Sequence, residues 1–133
     1  MTGGAQGLGL VSARALLEHS LSKLAILDID EKSGELALQH FHSLDHRYCE
    51  AVIFRRVDIA DEESVNTNVK SVSKTFGGID ILVSFAGITD SRLAVEYPID
   101  SWKKIFDVNL HGSFLMARAI AKSVQQKWTY LYH

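Results

Sequence analysis

The chain has 133 residues, of which 47% are hydrophobic and 23% charged, and its formal net charge is -2. These proportions exclude a disordered, collagen-like or strongly charged chain, and a near-neutral charge gives no electrostatic footprint for nucleic acid or an anionic membrane. Cys49 is the only cysteine, which excludes an internal disulfide framework. The first residues lack the basic and apolar regions of a signal peptide, so the expected location is the cytoplasm.

Helical and strand periods alternate through the first half of the chain. Apolar residues at helical spacing after a glycine-rich start predict a first helix, at Leu8, Val11, Ala15 and Leu16. Residues 23–28 and 51–57 are short apolar or β-branched runs and predict two buried strands. Residues 31–44 lie between them and carry a helical pattern.

A third helix and strand follow. Four apolar residues form one helical stripe, Val65, Val69, Val72 and Phe76. Asp61 is placed to cap the start of that helix, and Gly77 to end it. The apolar run over residues 79–83 predicts another strand, which ends where Ser84 follows.

A long last helix is predicted over residues 101–127. It carries two adjacent lines of mostly apolar residues, which indicates that little of the helix faces water. The first line is Ile105, Asn109, Ser113, Met116, Ile120 and Val124. The second line is Phe106, Leu110, Phe114, Ala117 and Ala121. Helices that alternate with short apolar strands predict a doubly wound parallel α/β fold.

The loop over residues 2–9, Thr-Gly-Gly-Ala-Gln-Gly-Leu-Gly, opens the first predicted helix. Glycine lets a backbone turn tightly and approach a pyrophosphate, and the N–H groups and dipole of a helix start favour the phosphate charge. An ordinary helix-starting turn uses glycine too, so the loop alone leaves both interpretations open.

Asp28 ends the next predicted strand. A carboxylate there can accept hydrogen bonds from both ribose hydroxyls of an adenine nucleotide and would repel a 2′-phosphate. Ile29 and Gln6 offer such a phosphate no basic partner. The pattern therefore predicts NAD in preference to NADP, and the alternative is a solvated strand end or cap.

Four ordered motifs resemble the short-chain dehydrogenase/reductase family. They are Thr2-Gly3-x-x-x-Gly7-x-Gly9, Val57-Asp58-Ile59, Ser84-Phe85-Ala86-Gly87 and Asp107-Val108-Asn109-Leu110. The resemblance implies a Rossmann-like fold and a catalytic role for Asn109. The cofactor-binding residues that follow are Thr2, Gly3, Gln6, Gly7, Leu8, Gly9, Asp28, Asp58, Ile59, Ala86, Gly87 and Ile88.

Three departures from the family pattern shape the expected fold. Ser84 and Phe85 stand where the family has two asparagines. The family begins with an apolar strand, whereas this sequence starts at Met1, and the family's catalytic serine and Tyr-x-x-x-Lys are not among these residues. The expectation is an incomplete Rossmann-like sheet without its first strand and C-terminal part, with a partial NAD(P)-binding domain over 1–127 and an atypical tail over 128–133.

The missing first strand predicts two unpaired inner edges. In the family's strand order 3-2-1-4 it lies between the strands that end at Asp28 and Ser84, and each unpaired buried backbone group costs roughly 1 to 3 kcal/mol. Three outcomes stay open: the two strands close up, the β-prone tail 128–132 is recruited, or the domain is only partly folded.

A histidine pair and the last predicted helix each allow a functional and a purely structural interpretation. His42 and His46 have the spacing of metal ligands, but no carboxylate or cysteine completes a set, so no metal site is predicted. The two lines on the last helix resemble the surface through which the family forms dimers, whereas packing against the sheet would explain one line.

Two functions therefore stay in view. The resemblance implies an oxidoreductase that moves hydride between NAD(P) and a small alcohol or carbonyl, with this chain inactive alone because it supplies only Asn109 of the catalytic residues. The alternative is a non-catalytic fragment or splice product that binds nucleotide weakly or pairs with a full-length relative. A methyltransferase is disfavoured because Thr2 and Asn109 would have no role in one.

Overall fold

The computed structural model describes residues 1–131, with side chains described as far as residue 124. In that part the elements are α1 (Gly7–Glu18), β1 (Leu24–Asp28), α2 (Glu31–Leu44), α3 (Tyr48–Ala51), β2 (Val52–Arg56), α4 (Glu62–Phe76), a 3-10 turn (Ala94–Glu96), α5 (Ile99–Phe106), a π-helical segment (Asp107–Gly112) and α6 (Ser113–Leu131). Helices cover a small parallel sheet, which confirms the predicted α/β class and a partial Rossmann-like fold.

The sheet is built around β1. This strand pairs in parallel with β2, from Leu24 opposite Val52 to Asp28 opposite Arg56. On its other side Thr2 forms two parallel bridges, one to Leu27 and one to Ser84. The spatial order is therefore β2, β1, Thr2 and Ser84, as the family order 3-2-1-4 predicts.

Residues 1–3 form isolated bridges and no strand, as expected, but the expectation that both inner edges are unpaired is wrong at their carboxyl ends. The Leu27 N–H donates to the Met1 carbonyl over 2.9 Å and the Gly3 N–H donates to the Leu27 carbonyl over 2.8 Å. On the opposite side the Thr2 N–H donates to the Val83 carbonyl over 2.9 Å. Residues 1–3 thus lie between the two inner edges and pair both of them at their carboxyl ends.

The prediction of a strand over 79–83 is also wrong, and so is the outcome in which the tail joins the sheet. Of that segment and Ser84, only Ser84 forms a parallel bridge, because residues 1–3 pair only its last positions and a cavity separates the rest from β1. Helix α6 continues to Leu131, so residues 128–131 form no strand. Residues 132–133 of the tail lie outside the described part.

Capping explains the helices that sequence predicts best. The Asp30 carboxylate accepts the Ser33 N–H at the start of α2, and the Asp61 carboxylate accepts the Glu63 N–H at the start of α4. Gly77 ends α4 in the left-handed conformation, with φ of 82°. The predicted bounds of α2 and both ends of α4 are confirmed.

Helix α1 packs through a different face from the predicted one. Leu8 and Val11 are 77% and 67% exposed, whereas Gly9, Ala13 and Leu17 are buried. The buried face contains small residues because α1 crosses close to the loop that precedes it. Apolar periodicity overlooks such a face, since glycine and alanine add little to the pattern.

The last predicted helix is three consecutive helical pieces, α5, the π-helical segment and α6. Met116 is 1% exposed and packs with α4, but Phe106, Leu110 and Phe114 are 40%, 57% and 63% exposed. The expectation that little of this helix faces water is therefore wrong for one of its two lines. That line has no covering partner within the described chain.

Two apolar clusters lie on opposite faces of β1. Ile26 contributes to the cluster with α1 and α2, and Leu27 to the cluster with α4 and α6, as alternation along a strand requires. Phe41 and Val65 anchor the two sides and are both 0% exposed. Each such buried side chain contributes about 1.5 to 3 kcal/mol.

Candidate functional site

A cavity of about 750 Å³ lies where β1 and β2 end. In open α/β sheets this edge is the usual ligand position. Ten of the predicted site residues line it: Gly3, Gln6, Leu8, Gly9, Asp28, Asp58, Ile59, Ala86, Gly87 and Ile88. The predicted residues Thr2, Gly7 and Asn109 are not in its lining.

Glycine is required at two positions of the first loop. Gly3 has φ of 64°, and a Cβ there would lie 2.5 Å from the Ala86 backbone nitrogen. A methyl group at Gly9 would overlap the Gly3 carbonyl oxygen, so α1 and the loop touch through backbone alone. The loop can therefore lie against both α1 and the segment at Ala86.

The start of α1 faces the cavity. Gln6 is its extended N-cap residue, and Gln6, Leu8 and Gly9 line the cavity. The first N–H groups of a helix have no partner within the helix, and they carry the positive end of its dipole. This end of the cavity suits an anionic group such as a phosphate.

The Asp28 carboxylate is held at the rim by two backbone groups. Its Oδ2 accepts the Ala5 N–H over 3.2 Å, and its Oδ1 accepts the Asp30 N–H over 3.1 Å. These bonds join the end of β1 to the glycine loop. Because a carboxylate has about four acceptor sites, both oxygens keep capacity for a ligand hydroxyl.

The residues after β2 form a tight turn. Asp58 Oδ1 accepts the Ala60 N–H over 2.9 Å, and the Asp58 N–H donates to Ser64 Oγ over 3.2 Å. Ile59 is 6% exposed and fills the space left by Gly112, where a Cβ would lie 2.7 Å from its Cγ1. The turn therefore fixes one cavity wall against the π-helical segment.

Asn109 binds the opposite wall rather than lining the cavity. Its Oδ1 accepts the Ile88 N–H over 2.8 Å, and its Nδ2 donates to the Ile88 carbonyl over 2.9 Å. A Cβ at Gly87 would lie 3.2 Å from the same Oδ1. The amide thus positions the backbone of Gly87 and Ile88.

The buried residue Thr2 also bonds to the cavity wall, at Ala86. It is 1% exposed, and its Oγ1 accepts the Ala86 N–H over 3.4 Å. Phe85, which stands where the family has an asparagine, donates its N–H to the Thr2 carbonyl over 3.0 Å. Backbone pairing to Thr2 therefore orders this segment.

The charged lining of the cavity is mostly acidic. Four aspartates line it, Asp28, Asp30, Asp58 and Asp107, with Lys104 as the basic residue among the described lining. Sequence analysis missed Lys104 and Asp107 as site residues. The signal was their spacing on α5 and the π-helical segment, which places Lys104, Asp107 and Val108 on one face.

The described residues offer neither a metal cluster nor a membrane span. Within residues 1–131 no group of three His, Cys, Asp or Glu side chains is arranged to hold a metal ion. Over the same range, no helix combines the length and the hydropathy needed to cross a bilayer.

The fold and this cavity define a Rossmann-type α/β domain with a cavity at the carboxyl edge of its sheet. A family model described as short chain dehydrogenase matches residues 1–129, and the chain belongs to that family.

Relatives and solved structures agree with that assignment. A 2-(R)-hydroxypropyl-CoM dehydrogenase from Xanthobacter autotrophicus is 36% identical over 90% of this chain and 48% of its own length. An uncharacterized oxidoreductase from Thermotoga maritima is 32% identical over 93% of this chain and 46% of its own. A putative short-chain dehydrogenase from Novosphingobium aromaticivorans superposes with a TM-score of 0.87 at 26% identity, over 99% of this chain and 47% of that one. The chain thus spans about half the length of the relatives it matches.

Proposed function

We propose that this chain is the dinucleotide-binding part of a nicotinamide-dependent oxidoreductase, with NAD preferred over NADP and a small alcohol or carbonyl as substrate. The observation that carries the proposal is the Asp28 carboxylate, fixed at the cavity rim by the Ala5 and Asp30 N–H groups. It stands one residue before Ile29, and no arginine is among the described residues that line the cavity.

The residues present fit a dinucleotide. The backbone contact between Gly3 and Gly9 leaves the loop free of side-chain bulk where a pyrophosphate would approach, and the start of α1 supplies N–H donors. Asp28 would accept the ribose hydroxyls. When bound, the cofactor supplies a hydride donor or acceptor, while these residues hold and orient it.

The acidic lining supports the preference for NAD. A 2′-phosphate beside Asp28 would also face Asp30 and Asp58, which line the same cavity. Like charges at short distance disfavour one another, at about 1 kcal/mol in water and several times more in a partly desolvated cavity. Lys104 is the basic residue among the described lining, but it belongs to α5 and not to the end of β1 that carries Asp28.

A second candidate function is a non-catalytic subunit that pairs with a longer relative. The exposed line on α5, the π-helical segment and α6 favours it, since Phe106, Leu110 and Phe114 are at least 40% exposed. A homo-oligomer through the same line is the variant implied by the family.

Calorimetric titration of the purified chain with NAD and NADP tests the main proposal. We expect weak binding of NAD and still weaker binding of NADP. Asp28→Ala should narrow the ratio of the two dissociation constants about tenfold, equivalent to about 1.4 kcal/mol, because it removes one charge from the ribose position.

Asp45→Ala is the matched control, because Asp45 is an acidic residue paired with Arg47 outside the cavity. It should leave the ratio unchanged. Equal or tighter binding of NADP by the unaltered chain would overturn the assignment to NAD.

A further inference from the structure

Lys104 is the one basic residue in the described lining of the cavity at the carboxyl edge of the sheet. Its ammonium forms no ion pair with the described side chains, whereas the ammonium of the adjacent Lys103 lies 4.0 Å from the Asp100 carboxylate. Both lysines have an aspartate three residues away on the helix, Asp100 for Lys103 and Asp107 for Lys104. The two lysines therefore differ in what the aspartate does.

Asp107 is bonded to a residue outside the cavity. His111 Nδ1 lies 3.0 Å from Asp107 Oδ1, four residues further along the chain. His111 is not in the described lining of the cavity, although Asp107 is. Lys104 and His111 lie in opposite directions along the helix from Asp107, so a carboxylate bonded to His111 turns away from Lys104. The Lys104 ammonium thus stays available to a ligand.

The position of Lys104 on its helix shows which part of the cavity it faces. Lys104, Val108 and Gly112 follow one another at steps of four residues and form one helical line. Gly112 lies against Ile59, and Val108 packs in the apolar cluster that contains Ile59. Lys104 lies about 6 Å beyond Val108 along the same line. It therefore faces the turn that follows β2.

The residues around that turn suit the flat base of a nucleotide. Ile29, Ile59 and Val108 line the cavity with apolar side chains. Asp58 Oδ1 accepts a backbone N–H, and within the described chain its Oδ2 has no partner. The amino group of adenine donates hydrogen bonds and its ring nitrogens accept them, so the Asp58 carboxylate and the Lys104 ammonium complement that base.

We propose that Lys104 donates a hydrogen bond to a ring nitrogen of the adenine base of the dinucleotide. His111 is then a positioning residue, because it binds Asp107 and so keeps Lys104 unpaired. These roles rest on the proposed function: with the pyrophosphate at the start of α1 and the ribose at Asp28 on β1, the base reaches the turn after the neighbouring strand β2.

Lys104→Met removes the ammonium and keeps an unbranched side chain, and Lys103→Met is the matched control. Both substitutions lower the net charge by one at adjacent exposed positions. In calorimetric titration of the 133-residue chain, Lys104→Met should weaken NAD binding by about fivefold or more, and Lys103→Met by less than about twofold. Equal losses would overturn the proposal, because they would reflect charge alone. A larger loss for NADP than for NAD would also overturn it, since the ammonium would then bind the 2′-phosphate.

Intermolecular nuclear Overhauser effects between NAD and the isotope-labelled, unaltered chain locate the contact directly. Protons of the adenine ring should give cross-peaks to the Lys104 side chain, and protons of the nicotinamide ring should not. Cross-peaks from nicotinamide in their place, or none from adenine, would overturn the proposal. Because this measurement needs no substitution, it decides the question even if a variant folds poorly.

His111→Ala tests the positioning role. It releases Asp107 to pair with Lys104, so NAD should bind about two- to threefold more weakly. The same substitution in the Lys104→Met chain should have no further effect, because the ammonium that it acts through is gone. His46→Ala, at another exposed histidine outside the cavity, should leave binding unchanged in both chains. An equal loss from His111→Ala in both chains would overturn the positioning role.

The same titrations separate these roles from the proposed function. If NAD binds with a preference over NADP that depends on Asp28, but Lys103→Met and Lys104→Met have equal effects, only the roles of Lys104 and His111 are wrong. If the unaltered chain binds no NAD, the proposed function fails, and the roles of Lys104 and His111 fail with it.

Discussion

The Asn109 side chain joins the helical layer to the cavity wall at a single residue, Ile88, through two hydrogen bonds of 2.8 and 2.9 Å. In the family resemblance this asparagine is catalytic. Here both polar atoms of its amide bond to the Ile88 backbone and so position it, while the catalytic role stays a prediction. Loss of the Asn109 amide should therefore alter the conformation of the cavity wall directly, and any reaction only through that wall.

Asn109→Ala should release that wall. We expect a loss of about 1 kcal/mol in the free energy of unfolding, since net contributions of exposed side-chain hydrogen bonds are of that order. The Ile88 amide should exchange with solvent at least tenfold faster, and NAD should bind more weakly. Hydrogen exchange with detection by NMR measures the first effect and calorimetry the second.

Asn68→Ala serves as the comparison for Asn109. The Asn68 Nδ2 donates to the Ser64 carbonyl within α4, away from the cavity. It should cost similar stability and leave Ile88 exchange unchanged. If both variants changed Ile88 exchange equally, the Asn109 bonds would not hold the wall.

Met1 provides a pH-dependent effect on stability in the 133-residue chain. Burial lowers the pKa of its ammonium from 8.0 to about 6. Between those values the unfolded chain binds more protons than the folded one, so the free energy of unfolding rises with pH. From pH 6 to pH 8 this group should add about 2 kcal/mol.

Urea denaturation at both pH values measures the effect of Met1. The chain with an acetylated N-terminus is the control, because it keeps an N–H donor for Ala25 but cannot be protonated, and it retains the same histidine titrations. The difference between the two chains isolates Met1. An identical pH dependence with and without acetylation would contradict the buried ammonium.

At the scale of elements, the exposed line of Trp102, Phe106, Leu110 and Phe114 recurs every fourth residue through three helical pieces. The Trp102 and Phe106 rings contact each other with centroids 4.8 Å apart and planes tilted by 42°, so part of the line is preorganised. Large exposed apolar patches of this kind are typical of interaction surfaces.

Self-association through this line is the expected result. The unaltered chain should form oligomers in light scattering, and Leu110→Glu combined with Phe114→Glu should shift it toward monomer, because charge at a buried contact is strongly disfavoured. Val11→Glu on α1, a residue that is 67% exposed, should leave the oligomer intact. A monomeric unaltered chain would contradict this surface.

The elements differ in how far sequence could predict them. The α2 and α4 helices follow from local signals, since their caps at Asp30 and Asp61 act within three residues. Pairing of Thr2 with both Leu27 and Ser84 depends on contacts between distant residues, which no local pattern reports. The buried face of α1 escaped prediction because backbone contact at Gly9 decides it.

The candidate site divides in a similar way. Glycine and aspartate positions follow from motifs, because the chemistry needs those residue types at those spacings. Lys104, Asp107 and Val108 share one helical face by their spacing, and the sequence can indicate that much. That this face lines the cavity depends on how α5 and the π-helical segment pack against distant residues, which only the structure shows.

At the scale of the whole molecule, the 133 residues form the walls of the proposed cofactor site but do not include the proton-transfer groups that the family resemblance implies. No tyrosine in the sequence is followed by a lysine four residues later. General acid–base groups contribute about a hundredfold to ten-thousandfold to rate, and groups that act as a unit fail together.

The 133 residues alone should therefore show no NAD-dependent oxidation of any alcohol in a panel. Absorbance of reduced cofactor measures this, with the chain purified free of host dehydrogenases. Adding a family-type first strand, serine and Tyr-x-x-x-Lys segment should produce activity that Asn109→Ala lowers. Turnover above background by the unaltered chain would show that the catalytic roles implied by the family are wrong here.

Backbone NMR during titration with NAD shows directly whether the cavity at the carboxyl edge of the sheet binds NAD. Chemical shifts should move together, with one dissociation constant, at Gly3, Gly9, Asp28 and the amides of Ala86 to Ile88, all of which line that cavity. Residues that line only the smaller cavity between β1 and residues 79–83, such as Ala25 and Ile81, should not shift. Shifts confined to that smaller cavity, or no shifts at millimolar NAD, would show that NAD does not bind at the carboxyl edge.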